Sequence, residues 1–245
     1  MTAVTRIGAT VHRPAGRWTP AVHAVLDHLA TAGFEGAPRP IGFDGLGREV
    51  LTYLPGDTAW PKGDEVIVAA GRLIRRLHDA LEGFEPRPGS VWRVPPEGPE
   101  PHQTGHNDLT VENTVFVDGV PRGFIDWDLA GPAPVLHDFA WAAVNFVPLR
   151  PDGFCSRAGF TEPPDRPRRF RLFCEAYGVG SPDAVLGAID DFLESMLRRI
   201  CERGSAGVSP FATFLANGEN EFLELDLAWF RANRRALRAA FPSRQ

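Results

Sequence analysis

The sequence predicts an α+β chain in which a short β-rich N-terminal part leads into a larger, mainly helical C-terminal part. Short β-forming runs separated by turn signals fill the stretch up to Leu54, and apolar residues recur at helical spacing from Val66 onward. Among the helical segments lies a polar loop, Gly105–Asn113, followed by a hairpin-like stretch that ends at Asp126.

The first elements are short. Val4 to Arg13 carries β-type runs on either side of Gly8-Ala9, and glycine at the first central position suits a tight hairpin turn. Thr19-Pro20 reads as an N-cap and first helical residue, opening a helix with Val22, Val25, Leu26 and Leu29 on one face and Gly33 at its end. Strands are expected at Pro40–Phe43 and Glu49–Leu54, with Asp44-Gly45-Leu46-Gly47 as the turn between them. Pro55-Gly56 stops the second strand.

A long helix follows, with Val66, Ile67, Ala69, Ala70, Leu73, Ile74 and Leu77 at helical spacing, ending near His78 or Leu81. Proline and glycine cluster around residues 84–105 and 148–167, which read as irregular connections. Helices are expected at 135–146, 168–177, 184–203 and 219–240. Ile189, Phe192, Leu193, Met196, Leu197 and Ile200 form the apolar stripe of the third.

The chemistry concentrates between His106 and Asp128. Thr114-Val115-Phe116-Val117 alternates, Asp118-Gly119 signals a two-residue hairpin turn, and Gly123-Phe124-Ile125 brings the chain back to Asp126. Pro121 implies an edge strand in the return arm. Such a hairpin sets Asn113 beside Asp126, two oxygen donors suited to one hard cation, just after a loop that carries Asp108. One carboxylate near an acceptor hydroxyl, with an amide oxygen and a second carboxylate for the ion on the phosphates, is what phosphoryl transfer requires. Asp128 lies two positions past Asp126; a continued strand would put both on one face and make Asp128 an auxiliary metal carboxylate, the alternative being a loop-capping aspartate.

These residues, His106-x-Asp108, Asn113 and Asp126, together with Leu136-His137-Asp138-Phe139, resemble the aminoglycoside phosphotransferase and choline kinase group, a branch of the protein-kinase-like fold. The resemblance implies that Asp108 is the catalytic aspartate, that His106 braces its loop, that Asn113 and Asp126 are magnesium ligands and that Asp138 anchors the loop from the following helix. It also implies a two-lobed fold: residues 1–56 as a small nucleotide-binding lobe without a Gly-rich loop, and residues 57–245 as the helical lobe with catalytic loop and acceptor site. The strand ending in Thr52, Tyr53 and Leu54 would lead into the hinge that hydrogen-bonds the base of ATP or GTP. The implied reaction moves the γ-phosphoryl group to a hydroxyl of a small acceptor, with a cationic aminoglycoside-like molecule or amino alcohol as first candidate.

The chain departs from the group's pattern near the start. Kinase-like enzymes set a strand lysine against the phosphates and pair it with a helix glutamate. Here the only early lysine is Lys62, so Arg13 is the cationic substitute, and Asp27 is the only carboxylate in the helix that follows. That departure keeps open a second function, a nucleotide- or ligand-binding member without catalysis. A third, a metal-dependent phosphohydrolase, is suggested by His78-Asp79 and His137-Asp138, which with His106 could form a cluster.

Bulk properties narrow the partners. The 245 residues are 43% apolar and 23% charged, enough for a sizeable core. A net charge of −5 argues against nucleic acid as partner. Cys155, Cys174 and Cys201 show no metal-ligand or paired spacing and read as thiols in a reducing compartment. No signal-peptide core or run of about eighteen apolar residues is present, so a cytoplasmic location without membrane partner is expected. Arg231, Arg234, Arg235 and Arg238 form a positive stripe suited to a helix C-terminus, while acids such as Asp190 and Glu194 read as solvated helix faces.

Overall fold

A computed structural model of the protein describes residues 4–96, 102–179 and 181–241. Strands β1 (Thr5–Ile7) and β2 (Thr10–Arg13) form the expected hairpin, with Gly8 at φ 61° in its turn. Helix α1 spans Thr19–Thr31, one residue off the expected cap: Trp18 is the N-cap, and the Thr19 hydroxyl instead accepts from the Gly16 N–H at 2.9 Å. At the other end Gly33, at φ 77°, and Phe34 donate to the Ala30 and Leu29 carbonyls, which closes the helix with its orphan carbonyls satisfied.

Strands β3 (Pro40–Phe43) and β4 (Glu49–Thr52) complete an antiparallel sheet of order β1-β2-β4-β3. The Asp44 carboxylate shapes their turn by accepting from the Leu46 and Arg48 N–H groups at 2.9 and 3.0 Å. Ala21, Val22, Val25, Leu26 and Leu29 of α1 are buried, as are Val50 and Leu51 of β4. Each buried valine or leucine contributes about 1.5–3 kcal/mol by leaving water.

Helix α2 (Asp64–Ala80) ends where its periodicity indicates. Strand β5 (His102–Gly105), in a stretch that reads as irregular in the sequence, then pairs antiparallel with β8 (Gly131–Pro134), where no element is expected. Between them the hairpin of β6 (Thr114–Val117) and β7 (Val120–Phe124) forms as expected, with Asp118 and Gly119 both at positive φ in its turn. Phe116 spends its N–H and carbonyl on Asp57, so Pro121 opposite it costs no ladder bond.

Helices α3 (His137–Phe146), α4 (Asp152–Arg157), α5 (Arg166–Tyr177), α6 (Pro182–Ser205), α7 (Phe211–Ala216) and α8 (Glu219–Ala239) follow. The start of α3 is later than expected because β8 and Leu136, at φ 68°, interrupt the chain before it. That of α5 is earlier, because the Asp165 carboxylate caps it by accepting from the Arg168 N–H at 3.0 Å. The short α4 and α7 were hidden by their Pro- and Gly-rich surroundings.

By packing the chain divides into two compact units, Met1–Pro61 with Arg72–Asp138, and Lys62–Gly71 with Phe139–Gln245. Within the second unit Phe139 stacks on Phe173 at 4.9 Å and Trp141 on Phe192 at 5.0 Å. The arginine stripe of α8 is not free: Arg231 bridges Asp190 and Glu194 of α6 at 2.8 Å each, and Arg238 meets Asp183 at 2.6 Å. These acids pair across the two helices, and Glu194 stays exposed as expected of a solvated helix face. Among the described residues no helix is long and apolar enough to cross a membrane.

Candidate functional site

The site lies wholly within the first unit, and β5 and β8 frame it. Gly105, the last residue of β5, is opposite Gly131, the first of β8, so the loop beginning at His106 leaves the pair beside the point where the chain enters β8, and the chain departs toward Asp138 from the other end, at Pro134 opposite His102. Asp138 is 2% exposed and accepts from the His106 N–H at 2.8 Å and the Asn107 N–H at 2.9 Å. A Cβ on Gly105 would lie 2.8 Å from an Asp138 oxygen, which is why glycine stands there. His78 of α2 approaches the same carboxylate at 3.2 Å. Burial alone pushes the Asp138 carboxyl up, but the His78 hydrogen bond, the nearby His78 and His106 rings and the backbone donors outweigh it and hold the group below the usual carboxylate range.

The loop is fixed from inside as well. The His106 ring is fully buried, its Nδ1 accepts from the Asp108 N–H at 3.2 Å, and its Nε2 reaches the Ile125 carbonyl at 3.0 Å, a pattern that assigns the proton to Nε2. Asn107 sits at φ 63°, a conformation that asparagine tolerates and most residues do not, and its amide donates to the Leu129 and Gly131 carbonyls. With these atoms spent on loop and neighbours, His106, His78 and Asp138 form a brace. Among the described residues no group of three or more His, Cys, Asp or Glu is placed to hold a metal ion.

The three oxygen-bearing residues singled out in the sequence do converge. The Asn113 amide donates to Asp108 Oδ2 at 2.9 Å and to the Asp108 carbonyl at 3.1 Å. The Ile125 N–H donates to the Asn113 carbonyl at 2.8 Å, which closes the mouth of the hairpin and sets Asn113 next to Asp126. Because its nitrogen is taken, and its Oδ1 meets no donor among the described residues, Asn113 has that oxygen left for a cation, and Asp126 is half exposed. An amide oxygen and a carboxylate side by side fit a hard divalent ion.

Asp126 does not continue a strand. It adopts a left-handed conformation, φ 60° and ψ 65°, and residues Trp127–Leu129 form a single 3₁₀ turn. The expectation that strand alternation puts Asp126 and Asp128 on one face therefore fails, yet both reach the same cation, Arg13. Its NH1 bonds Asp126 Oδ1 at 3.0 Å, its NH2 pairs with Asp128, and its Nε meets Glu49 at 2.7 Å. Burial works against the charge of Arg13, but Asp128, Asp126 and Glu49 more than offset it and raise its pKa.

Within the N-terminal sheet and its helix the carboxylate that pairs with Arg13 is thus Glu49, its register partner on β4, and not Asp27, which is exposed on α1. Glu49 is buried and also accepts His23 at 3.0 Å. Arg93 and Trp18 were equally unmarked in the sequence: Arg93 NH1 donates to Asp128 Oδ2 at 2.6 Å and the Trp18 indole N–H to Oδ1 at 3.0 Å. At the proposed hinge, the Thr52 N–H is spent on the Arg39 carbonyl and that of Tyr53 on Ala9, both at 2.9 Å. Among the described residues Leu54 makes no backbone hydrogen bond through its N–H. Trp127 and Phe146 are core.

The fold is that of the protein-kinase-like phosphotransferases. Residues 90–173 match the phosphotransferase enzyme family. The chain is 36% identical over 217 residues to the trifolitoxin immunity protein of Rhizobium leguminosarum bv. trifolii, covering 85% of this chain and 83% of that protein. A choline/ethanolamine kinase family protein from Mesorhizobium loti superposes with a TM-score of 0.53 at 17% identity, over 94% of this chain and 90% of the other. The amicoumacin kinase hAmiN, in complex with AMP-PNP, Ca2+ and Ami, superposes with a TM-score of 0.58 at 13% identity, over 91% and 88%. The chain belongs to the phosphotransferase enzyme family that includes the aminoglycoside phosphotransferases and choline kinases.

Proposed function

We propose that the protein transfers the γ-phosphoryl group of ATP or GTP to a hydroxyl of a small acceptor, with residues 1–56 serving the nucleotide and residues 57–245 the catalytic loop and acceptor. The observation that carries this is the convergence of Asp108, Asn113 and Asp126 at the hairpin mouth. Asp108 orients the acceptor hydroxyl and takes its proton as the new P–O bond forms. Asn113 fixes the Asp108 carboxylate with its nitrogen and, with Asp126, holds magnesium through oxygen. That ion, when bound, neutralises charge developing on the phosphate oxygens. His106 and Asp138 keep the loop in place. Leu54 offers its N–H to the base beside Thr52 and Tyr53, and Arg13 serves the phosphates in place of a strand lysine.

For the acceptor, the net charge of −5 suits a cationic amino sugar or amino alcohol, and a relative named for immunity to trifolitoxin supports a toxin or antibiotic. Incubating the protein with γ-labelled ATP or GTP, magnesium and a panel of antibiotics and amino alcohols should give a product heavier by one phosphoryl group, lost in Asp108→Ala. Product formed equally by that variant would remove Asp108 from the reaction.

A second reading is a binding protein that sequesters its ligand without chemistry. It is favoured by an arginine in place of the lysine, held by three carboxylates, and by a relative named for immunity and not for catalysis. Calorimetric binding of a toxin with no phosphorylated product at any donor would select it.

A further inference from the structure

We infer that Arg93 binds the phosphate chain of the nucleotide, and that Asp128 is the carboxylate that holds Arg93 and Arg13 together as a two-arginine clamp. This rests on the nucleotide binding proposed above.

Asp128 divides its two oxygens between the two guanidinium groups. Oδ1 takes Arg13 and the Trp18 indole N–H, and Oδ2 takes Arg93 NH1 at 2.6 Å. The Arg93 guanidinium also lies over the Trp18 ring, 4.9 Å from its centroid, so it is positioned both by stacking and by a charge-assisted hydrogen bond. The two arginines differ in what they have left to offer. Arg13 commits Nε, NH1 and NH2 to three carboxylates and its side chain is 12% exposed. Among the described residues Arg93 commits only NH1, and its side chain is 31% exposed. A guanidinium presents five N–H donors in a rigid fork, so Arg93 retains an edge able to take two phosphate oxygens.

Charge decides when that edge is useful. Arg13 and Arg93 stand against Glu49, Asp126 and Asp128, which leaves the cluster one charge negative. A bare polyphosphate is repelled by it. A divalent ion on Asn113 and Asp126 turns the cluster one charge positive, so cation and phosphates are expected to enter together. The clamp also supplies the positive charge that a strand lysine and a Gly-rich loop would otherwise provide, neither of which this sequence has. Asp128 on this view works through the arginines and is not a metal ligand.

The test is calorimetric, with AMP-PNP and AMP each titrated into wild type, Arg93→Leu and Arg93→Lys in excess magnesium. Arg93→Leu keeps an apolar stem against Trp18 and should weaken AMP-PNP about tenfold, the loss of one charge-assisted fork, while AMP binding stays unchanged. Arg93→Lys should recover part of the loss. Without magnesium the wild-type preference for AMP-PNP over AMP should shrink. An undiminished preference in Arg93→Leu, in a variant whose thermal unfolding matches wild type, overturns the clamp and leaves nucleotide binding standing. If Arg93→Leu does not fold, an undiminished preference in Arg93→Lys overturns it equally. Wild-type protein that binds neither ligand overturns both the clamp and the nucleotide reading.

Discussion

The Asn113 carboxamide donates both its N–H groups to Asp108, one to the carboxylate at 2.9 Å and one to the main-chain carbonyl at 3.1 Å. A residue proposed to hold the ion thereby also orients the proposed base. Asn113→Ala is expected to lower kcat at least about 10²-fold, because it removes an orienting bond together with an ion ligand. Unchanged turnover with only weaker nucleotide binding, measured by steady-state kinetics on a matched acceptor, would show that the orienting bond does nothing.

Asp138 accepts two backbone N–H groups of the loop and His78 from a fully buried position, so its loss should be felt in stability before activity. Asp138→Ala is expected to cost about 3–5 kcal/mol in urea unfolding, the range for breaking a buried charged network. Gly105→Ala should cost about 1–3 kcal/mol by pushing the same carboxylate aside.

Glu49 is 3% exposed and ties Arg13 and His23 to the sheet. Glu49→Ala should destabilise the protein by about 3 kcal/mol, since it leaves a buried guanidinium with one carboxylate fewer. Repeating the unfolding at high salt should leave that difference largely intact, because buried pairs are screened little. A difference that disappears in salt would mean that the pair is effectively solvated.

Two carboxyls give opposite pH signatures. Burial pushes Asp226 up to about 6 from 3.8, against the opposing pull of Arg150, whose Nε lies 3.2 Å away but finds no hydrogen-bond partner. A raised acid favours the folded state when protonated, so this contribution is present below about pH 4 and is lost as pH rises through about 6. The loss is up to about 3 kcal/mol for a shift of this size. Asp138, held low, works the other way: its contribution is present above the ordinary carboxylate range and disappears on further acidification. Melting temperatures across this range should fall between about pH 4 and pH 6 and level off above it, and Asp226→Asn should flatten that decline while leaving the acid limb in place. A slope equally steep in Asp226→Asn would assign it to another group.

What the sequence reveals of this site is whatever rests on near neighbours. The hairpin from Thr114 to Phe124 is written in alternation and in Asp118-Gly119, and that alone brings Asn113 to Asp126. Glu49 is invisible because its meeting with Arg13 depends on the register of β2 against β4, set by packing and not by any local pattern. Arg93 lies in a Pro- and Gly-rich stretch that gives no reason to bring it to Asp128. Strands β5 and β8 were missed for a related reason: His102-Gln103-Thr104-Gly105 and Gly131-Pro132-Ala133-Pro134 lack β-branched alternation and become strands only by finding each other. Asp126 defeats the strand rule because its backbone turns left-handed just where Asp128 should have followed it.

The arm between Asn113 and Asp126 is fastened at its base, by the Ile125 to Asn113 bond and the pairing of Thr114 with Phe124, and one unmatched residue, Arg122, is already absorbed on its return side. Its tip at Asp118-Gly119 therefore has no part in spacing the two donors. Residues grafted there in matched pairs, or a fluorescent reporter, should leave phosphate chemistry untouched, whereas a lone insertion near the base would turn the side chains of one limb inside out.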